Sequence, residues 1–218
     1  MEASIIRNTR NRAAQFWMAM SFVGLLIGGI FYPPIGYFML ICMIAAMAYG
    51  VVKGRSWCDW MCPRGSFFDV LLKPFSRQRE VPGFFSHWVF RAVWMTVLMS
   101  VLAVRLPPLW GDWYSMGKPF VTLLLVTTAV GIIFGLIYHQ RIWCMFCPMG
   151  SMANMLGRKK QPLLVASGCN GCGQCEKVCR MQIYPGAYKE DGIVADGDCL
   201  KCSYCIDECP QKALRLDQ

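Results

Sequence analysis

Charged residues are scarce in this chain. Only 16% of its 218 residues are Asp, Glu, Lys or Arg, whereas 56% are hydrophobic. Soluble domains usually have about a quarter of their residues charged, so this composition indicates a membrane protein. The charges are also unbalanced, with 22 basic residues against 13 acidic ones. Because the basic residues lie between apolar stretches, we interpret them as topological signals and expect no nucleic-acid partner.

The usual signatures of an enzyme active site are missing as well. The sequence contains no nucleophile paired with a base, no phosphate-binding loop and no dinucleotide fingerprint. Histidine is limited to His87 and His139. We therefore expect no stand-alone catalytic activity. Cysteine, in contrast, is abundant, with thirteen residues, and its spacing carries most of the functional information.

Two cysteine runs near the C-terminus, Cys169–Cys179 and Cys199–Cys209, share the spacing C-x2-C-x2-C-x3-C. This is the ligand spacing of two-cluster bacterial ferredoxins, in which the fourth cysteine of each run binds the cluster of the other run. Zinc sites instead use pairs of cysteines. The pattern predicts two [4Fe-4S] clusters. The first would be bound by Cys169, Cys172, Cys175 and Cys209, and the second by Cys199, Cys202, Cys205 and Cys179.

Four apolar stretches are long enough to cross a bilayer. They are residues 13–31, 35–52, 89–104 and 120–138. The third contains Arg91, which we expect to extend to the membrane interface. Basic residues precede the first span, separate the second from the third and follow the fourth, so the positive-inside rule places both termini in the cytoplasm. Cluster thiolates also require a reducing compartment, which agrees with this orientation.

The membrane part contains an internal repeat. The second span runs into R-S-W-C-D-W-M-C-P-R-G-S and the fourth into R-I-W-C-M-F-C-P-M-G-S, so Arg, Trp, two Cys, Pro, Gly and Ser recur in the same order. The copies have the same orientation, related by an axis along the membrane normal. We expect the two Cys-Pro motifs, at residues 57–66 and 143–151, to face each other on the cytoplasmic side.

The cysteines of these two motifs have three open interpretations. They would bind a further cluster or metal, form redox-active thiol pairs, or serve as buried structural thiols. The set comprises Cys58, Cys62, Cys144 and Cys147. The first motif has three residues between its cysteines and the second has two, an asymmetry that argues against equivalent ligation.

Other polar residues near the motifs and clusters carry weaker signals. His87 and His139 are expected near the cytoplasmic surface, where a bis-histidine haem is geometrically conceivable. We favour interfacial histidines, or one contacting a quinone headgroup, because membrane cytochromes usually place haem ligands within their spans. Asp59 could accept a proton from a quinol, but we favour a surface carboxylate near a basic loop. Arg180 replaces the proline that usually follows Cys179, and its charge is expected to raise the potential of the adjacent cluster.

Together these patterns predict a membrane α-helical protein. Four transmembrane helices form two hairpins as a parallel repeat, followed by a bacterial-type 2[4Fe-4S] ferredoxin domain of the α+β class. The expected division is a basic cytoplasmic N-terminus at residues 1–12, a four-helix domain at 13–161 and the ferredoxin domain at 162–218. The protein is expected in the cytoplasmic (inner) membrane as a multi-pass protein, with termini and clusters on the cytoplasmic side.

Two hairpins that each end in W-C-x-x-(x)-C-P-x-G, followed by a double-cluster module, resemble the NapH-type membrane polyferredoxins. That group includes NosR-, MauN- and CcoG-like proteins, and the resemblance covers about residues 13–210. It implies an electron-transfer subunit that links the quinone pool or a membrane partner to a redox partner protein. The alternatives are a maturation factor that reduces a metal or disulfide for a partner enzyme, and a scaffold subunit that anchors a ferredoxin in a larger complex.

Overall fold

The computed structural model describes the backbone of residues 2–157 and 160–217, and side chains from residue 12 onward within these ranges. Arg158 and Lys159, and the side chains of Arg7 and Arg10, contribute to the predicted orientation but lie outside the described residues. The helices are α1 (Glu2–Phe31), α2 (Tyr37–Lys53), α3 (Trp57–Trp60), α4 (Pro63–Phe67), α5 (Trp88–Arg105), α6 (Trp113–Ile137), α7 (Ile142–Phe146), α8 (Pro148–Gly157), α9 (Gln174–Lys177) and α10 (Tyr204–Asp207). The strands are β1 (Leu163–Val165) and β2 (Leu214–Leu216).

Four apolar helical stretches have the length and composition of membrane spans, which confirms the predicted fold class. Two of the helices begin earlier than the sequence predicted. The first, α1, already begins at Glu2, because no proline or glycine interrupts residues 2–12. The fourth, α6, begins at Trp113, where the Asp112 carboxylate accepts a hydrogen bond from the Tyr114 amide at 3.1 Å, and it continues through Pro119.

Small residues bring the two hairpins into close contact. Gly117 of α6 lies against the turn at Pro33, where a β-carbon on Gly117 would collide with the Pro33 carbonyl oxygen. At the other end, Gly157 of α8 lies against Gly54, which has a positive φ of 60°. Helices with small residues at the contact can approach each other closely in a membrane protein. These contacts join the first hairpin to the second at both ends.

The segment after the first Cys-Pro motif enters the bundle. Phe68 and Leu72 lie in a π-helical turn, Phe68–Leu72, that continues α4. Phe68 is fully buried and Leu72 nearly so, and both face glycines of α6, Gly131 and Gly135, which have no side chain to exclude them. The segment therefore contributes to the core between the two repeats.

The ferredoxin domain is closed by β1 and β2, which pair antiparallel with Leu164 opposite Arg215. Its two cysteine runs have the same backbone geometry. The first run has positive φ at Gly171 and Gly173, and the second has it at the corresponding positions, Lys201 and Ser203. The second run thus adopts the same loop with non-glycine residues at positions that usually favour glycine.

One hydrophobic core joins the two parts of the chain. It contains Cys58, Cys144 and Met145 of the Cys-Pro motifs together with apolar residues of the ferredoxin domain such as Leu163 and Leu200. The ferredoxin domain is therefore packed directly on the motif end of the membrane bundle.

Candidate iron–sulfur sites

The four motif cysteines line one cavity, here called the four-cysteine cavity. Its wall contains the side chains of Cys58, Cys62, Cys144 and Cys147. Three of these cysteines are buried and Cys62 is half-buried. Trp57, Trp143 and Phe68 complete much of the apolar lining. The two repeats thus bring their cysteines together, as the sequence predicted.

Two buried arginines cross between the motifs at this cavity. Arg55, from the first motif, donates to the main-chain carbonyl of Cys144 at 2.6 Å. Arg141, from the second motif, donates to the carbonyl of Cys58 at 2.5 Å and to that of Asp59 at 2.9 Å. Both guanidinium groups are almost completely buried. Each motif arginine therefore fixes the first cysteine of the opposite motif.

The glycine of each C-P-x-G sequence makes room for the arginine of the other motif. A β-carbon on Gly65 would lie 2.9 Å from Nη1 of Arg141, and one on Gly150 would lie 2.7 Å from Nη2 of Arg55. Both distances are too short for an undisturbed contact. This reciprocal packing explains why Arg and Gly recur together in both motifs, a signal present in the sequence whose meaning required the structure.

The residue between proline and glycine differs between the motifs. Arg64 of the first motif donates to the Cys147 sulfur at 3.4 Å and to the Thr127 hydroxyl at 3.0 Å. Its guanidinium also lies 4.7 Å from the centroid of the Trp143 ring, in a cation–π arrangement. Met149 occupies the corresponding position of the second motif. Arg64 therefore adds a third cation to the surroundings of the four cysteines.

The eight ferredoxin cysteines line two further cavities. The first ferredoxin cavity is lined by Cys169, Cys172, Cys175 and Cys209. The second ferredoxin cavity is lined by Cys179, Cys199, Cys202 and Cys205. The fourth cysteine of each run thus joins the other run, in the grouping that the spacing predicted.

The donor sets of all three cavities fit iron–sulfur clusters. All thirteen cysteines lie in the described part of the chain and are free thiols. Main-chain amides point at sulfur atoms, with Ile183 N at 3.3 Å from Cys179 and Gly65 N at 3.4 Å from Cys62. Burial raises the pKa of Cys205 to about 12, so its thiolate needs compensating positive charge of the kind that iron supplies. Within residues 12–157 and 160–217, no three His, Cys, Asp or Glu side chains are grouped for a single metal ion.

Asp198, next to Cys199, connects the ferredoxin domain to the membrane part. Its carboxylate accepts from Arg55 at 2.5 Å, from both terminal nitrogens of Arg91, and from Asn154 at 2.9 Å. Burial alone would raise the pKa of Asp198, but the Arg91 hydrogen bonds and the Arg55 charge lower it overall. Arg91, for which the sequence predicted a position at the membrane interface, therefore binds a buried carboxylate of the ferredoxin domain.

Arg180, next to Cys179, forms a second connection. Its Nη1 donates to Asp59 at 2.9 Å and to Asp69 at 2.7 Å, and its Nη2 donates to the Tyr204 hydroxyl at 2.5 Å. Asp69 in turn binds Nε of Arg141 at 2.8 Å and its Nη2 at 2.5 Å. Asp59 is only 4% exposed, so the prediction of a surface carboxylate is wrong: the docked ferredoxin domain covers it.

The two histidines have different surroundings. His87 is exposed, and its Nδ1 accepts from the Val89 amide at the start of α5. His139 is buried, and its Nδ1 accepts from the Arg141 amide at 3.2 Å. Burial lowers the pKa of His139 to about 4, and the Arg141 charge acts in the same direction, whereas the Asp69 charge opposes both. The imidazole of His139 is therefore neutral near pH 7.

An apolar cavity lies within the membrane bundle beside the four-cysteine cavity. It lies between α1, α2 and α6. Four residues line both cavities: Trp57, Cys62, Arg64 and Met149. The residues found only in the apolar cavity include Phe22, Leu25, Phe38, Met39, Val121 and Leu124. Neither histidine lines it.

Comparison with known proteins identifies two family models that match this chain and several similar proteins. A model described as "4Fe-4S binding domain" matches residues 35–82 and 121–164, one segment for each Cys-Pro motif. A model described as "4Fe-4S dicluster domain" matches residues 168–214, which contain both ferredoxin runs. The ferredoxin-type protein NapH of Haemophilus influenzae is 25% identical over 79% of the chain and 66% of its own length. The methylamine utilization ferredoxin-type protein MauN of Methylorubrum extorquens is 26% identical over 84% of the chain and 68% of its own length.

The chain resembles the NapH and MauN ferredoxin-type proteins over most of its length. An uncharacterized protein of Methanocaldococcus jannaschii is also similar, at 27% identity over 80% of the chain and 69% of that protein. The chain spans about two thirds of the length of these relatives. No solved structure matches it significantly. This NapH/MauN-like chain is a membrane iron–sulfur electron-transfer protein. It works with redox partners.

Proposed function

We propose that this NapH/MauN-like chain passes electrons from a membrane quinol to a redox partner protein, through three [4Fe-4S] clusters. The observation that carries the proposal is the presence of three cavities, each lined by four cysteines. The match of the "4Fe-4S binding domain" model to both Cys-Pro motifs supports the third cluster. When bound, such clusters exchange single electrons at potentials set by burial, charge and hydrogen bonds to sulfur.

The residues around the four-cysteine cavity suit an anionic centre. Cysteine thiolates make a [4Fe-4S] centre negatively charged, and a buried negative charge needs compensation. Arg55, Arg64 and Arg141 all line or contact this cavity. Arg55 and Arg141 are buried, and Arg64 donates directly to a cysteine sulfur. We propose that these three cations stabilise the thiolates and raise the potential of the third centre.

Iron and sulfide analysis of anaerobically purified protein tests this cluster count. Three clusters correspond to about twelve irons per chain, whereas two correspond to about eight. The double variant Cys62→Ser/Cys147→Ser should lose about four irons and keep the absorption of the ferredoxin clusters. Cys42→Ser, which changes a cysteine of α2 outside the cysteine set of the cavity, is the matched control and should keep all of them. A parent protein with eight irons and motif thiols that cycle between reduced and oxidised forms would instead support a maturation factor.

The apolar cavity is our proposed quinone site. It opens among the membrane helices, its wall is predominantly apolar, and Arg64 places a hydrogen-bond donor where it adjoins the four-cysteine cavity. Ligand pockets commonly combine apolar walls with a few such polar groups. Oxidation of a quinol would release two electrons, transferred singly to the cluster of the four-cysteine cavity, and two protons to solvent.

Quinol-driven bleaching of the cluster spectrum tests this site. Leu124→Trp should fill the apolar cavity and abolish bleaching by quinol, while dithionite still bleaches the spectrum. Arg64→Met, which copies the second motif, should weaken quinol-driven reduction. Arg105→Gln, which changes an exposed arginine that lines neither cavity, should leave it near the parental rate. Unchanged quinol reduction in Leu124→Trp would contradict the proposed site, and reduction by dithionite alone in the parent would favour a scaffold subunit.

The proposed orientation has both termini and all clusters on the cytoplasmic side. Its support is the distribution of basic residues, which precede the first apolar span at residues 13–31 and follow α2 and α6. Lys189 is exposed on the ferredoxin domain. In a Lys189→Cys variant, a membrane-impermeant maleimide should label the new thiol in inside-out vesicles and leave it unlabelled in intact cells. Labelling in intact cells would reverse the orientation.

A further inference from the structure

The two ferredoxin cavities differ in how they are attached to the membrane part. Two residues of the ferredoxin domain form ion pairs with the membrane part, and each of them is next to a cysteine of the second ferredoxin cavity. Asp198 precedes Cys199, and Arg180 follows Cys179. Lys201, inside the same run, extends to Gly54 at the end of α2. The second ferredoxin cavity is therefore anchored directly on the membrane bundle.

These ion pairs continue to the motif cysteines through the crossing arginines. On one side, Arg55 contacts both the carbonyl of Cys144, at 2.6 Å, and the Asp198 carboxylate, at 2.5 Å. A single side chain thus joins the backbone of a cavity cysteine to the residue before Cys199. Its burial, with 1% of its surface exposed, keeps this connection out of solvent.

The second connection passes through more residues than the first. Arg141 contacts the carbonyl of Cys58 at 2.5 Å and binds both oxygens of Asp69. Asp69 also accepts from Arg180, at 2.7 Å, and Arg180 follows Cys179 in the chain. Two hydrogen-bonded connections therefore run from the four-cysteine cavity to the second ferredoxin cavity, one to the residue before Cys199 and the other to the residue after Cys179.

The first ferredoxin cavity has a solvent-exposed rim. Cys172 is exposed, the only cysteine in that class among the thirteen, all of which the structure describes. Its neighbours along the loop, including Asn170, Gly171 and Gln174, are exposed as well. No charged residue occurs from Ala166 to Cys175. This rim leaves the first cavity accessible to another protein.

We infer that electrons enter the ferredoxin domain at the second cavity and leave it at the first, and that Arg55 and Arg141 are positioning residues that hold the second cavity against the four-cysteine cavity. This inference rests on the proposed function. Each transfer moves one electron: the donor centre is oxidised, the acceptor centre is reduced, and no bond is made or broken. The partner protein receives the electron at the rim around Cys172.

Selective loss of one ferredoxin cluster tests the order. Cys172→Ala removes a ligand of the first cavity, and quinol should still reduce the remaining second cluster at the parental rate. Cys202→Ala removes a ligand of the second cavity, and the remaining first cluster should be reducible by dithionite but not by quinol. The opposite pattern would overturn the order. If quinol reduces no cluster in the parent protein, the proposed function fails before the order is tested.

Arginine variants test positioning without removing a cluster ligand. Arg55→Lys cannot keep both the carbonyl and carboxylate bonds, because lysine lacks the planar fork of arginine. We expect roughly 10-fold slower quinol-driven reduction of the ferredoxin clusters, with iron content retained. The magnetic interaction between the four-cysteine and second ferredoxin centres, seen by electron paramagnetic resonance, should also weaken. A purely stabilising role would lower the unfolding temperature and leave this interaction unchanged, which would overturn the assignment.

The matched control is Arg91→Lys. Arg91 binds the same Asp198 carboxylate but makes no hydrogen bond to either Cys-Pro motif among the described residues. Its replacement should leave the magnetic interaction and the reduction rate near parental values. Equal effects of Arg55→Lys and Arg91→Lys would show that only the charge of the Asp198 network matters, and would contradict a positioning role for Arg55.

Discussion

Replacement of Arg141 by glutamine should strongly destabilise the docked structure. Arg141 is fully buried, binds both oxygens of Asp69 and donates to two main-chain carbonyls of the first motif. Removing one partner from a buried ion pair usually costs about 3–5 kcal/mol, because the remaining charge stays buried. For a chain of this length, that corresponds to a decrease of the unfolding temperature on the order of 10 °C.

The assay is thermal unfolding of the anaerobic, detergent-solubilised protein, followed by tryptophan fluorescence. Arg105→Gln, at the exposed end of α5, is the control, and its unfolding temperature should change by about 1–2 °C or less. In the double variant Arg141→Gln/Asp69→Asn, the loss should be smaller than the sum of the single losses, because the carboxylate that loses one of its two arginine partners in Arg141→Gln is then absent. If Arg141→Gln behaves like the control, the buried network does not contribute the stability that its geometry implies.

Three further predictions follow from packing and burial. Gly150→Ala should displace Arg55, since the new β-carbon would lie 2.7 Å from Nη2, and should lower the iron content by about a third if the four-cysteine cavity binds a cluster. Gly117→Ala should prevent correct hairpin packing and reduce folded yield, whereas Gly24→Ala, with nothing within 4 Å, should be tolerated. His139→Gln should reduce the loss of stability at acid pH. Because the pKa of His139 is lowered to about 4, its neutral form contributes up to about 3 kcal/mol to the free energy of unfolding above pH ~6.5. This contribution is lost as the pH falls toward 4.

The membrane spans and the grouping of the cysteines could be predicted because each depends on a local pattern. Long uncharged stretches identify helices in lipid, and a fixed cysteine spacing identifies cluster loops. The repeated motifs, read with the span count, also predicted that the four motif cysteines would meet. The cluster assignment of these cysteines stays a prediction that the iron analysis tests.

The charge networks could not be predicted because they depend on contacts between distant parts of the chain. The contact of Arg91 with Asp198 was not predicted, because the two residues lie 107 positions apart in the chain. Asp59 looked exposed for the same reason, since its partner Arg180 lies 121 residues away. The recurrence of Arg and Gly in both motifs was visible in the sequence. Only the fold showed that the glycine of one copy accommodates the arginine of the other.

The reciprocity of the crossing arginines also bears on how such a site can arise. Arg55 holds the carbonyl of Cys144 and Arg141 holds that of Cys58, so each half supplies what the other half requires. Two identical hairpins around a twofold axis would satisfy each other in the same way, because isologous contacts always occur in pairs. Duplication and fusion of an ancestral hairpin that worked as a homodimer would then produce this arrangement. After fusion, the halves are free to diverge, as Arg64 and Met149 have done at equivalent positions.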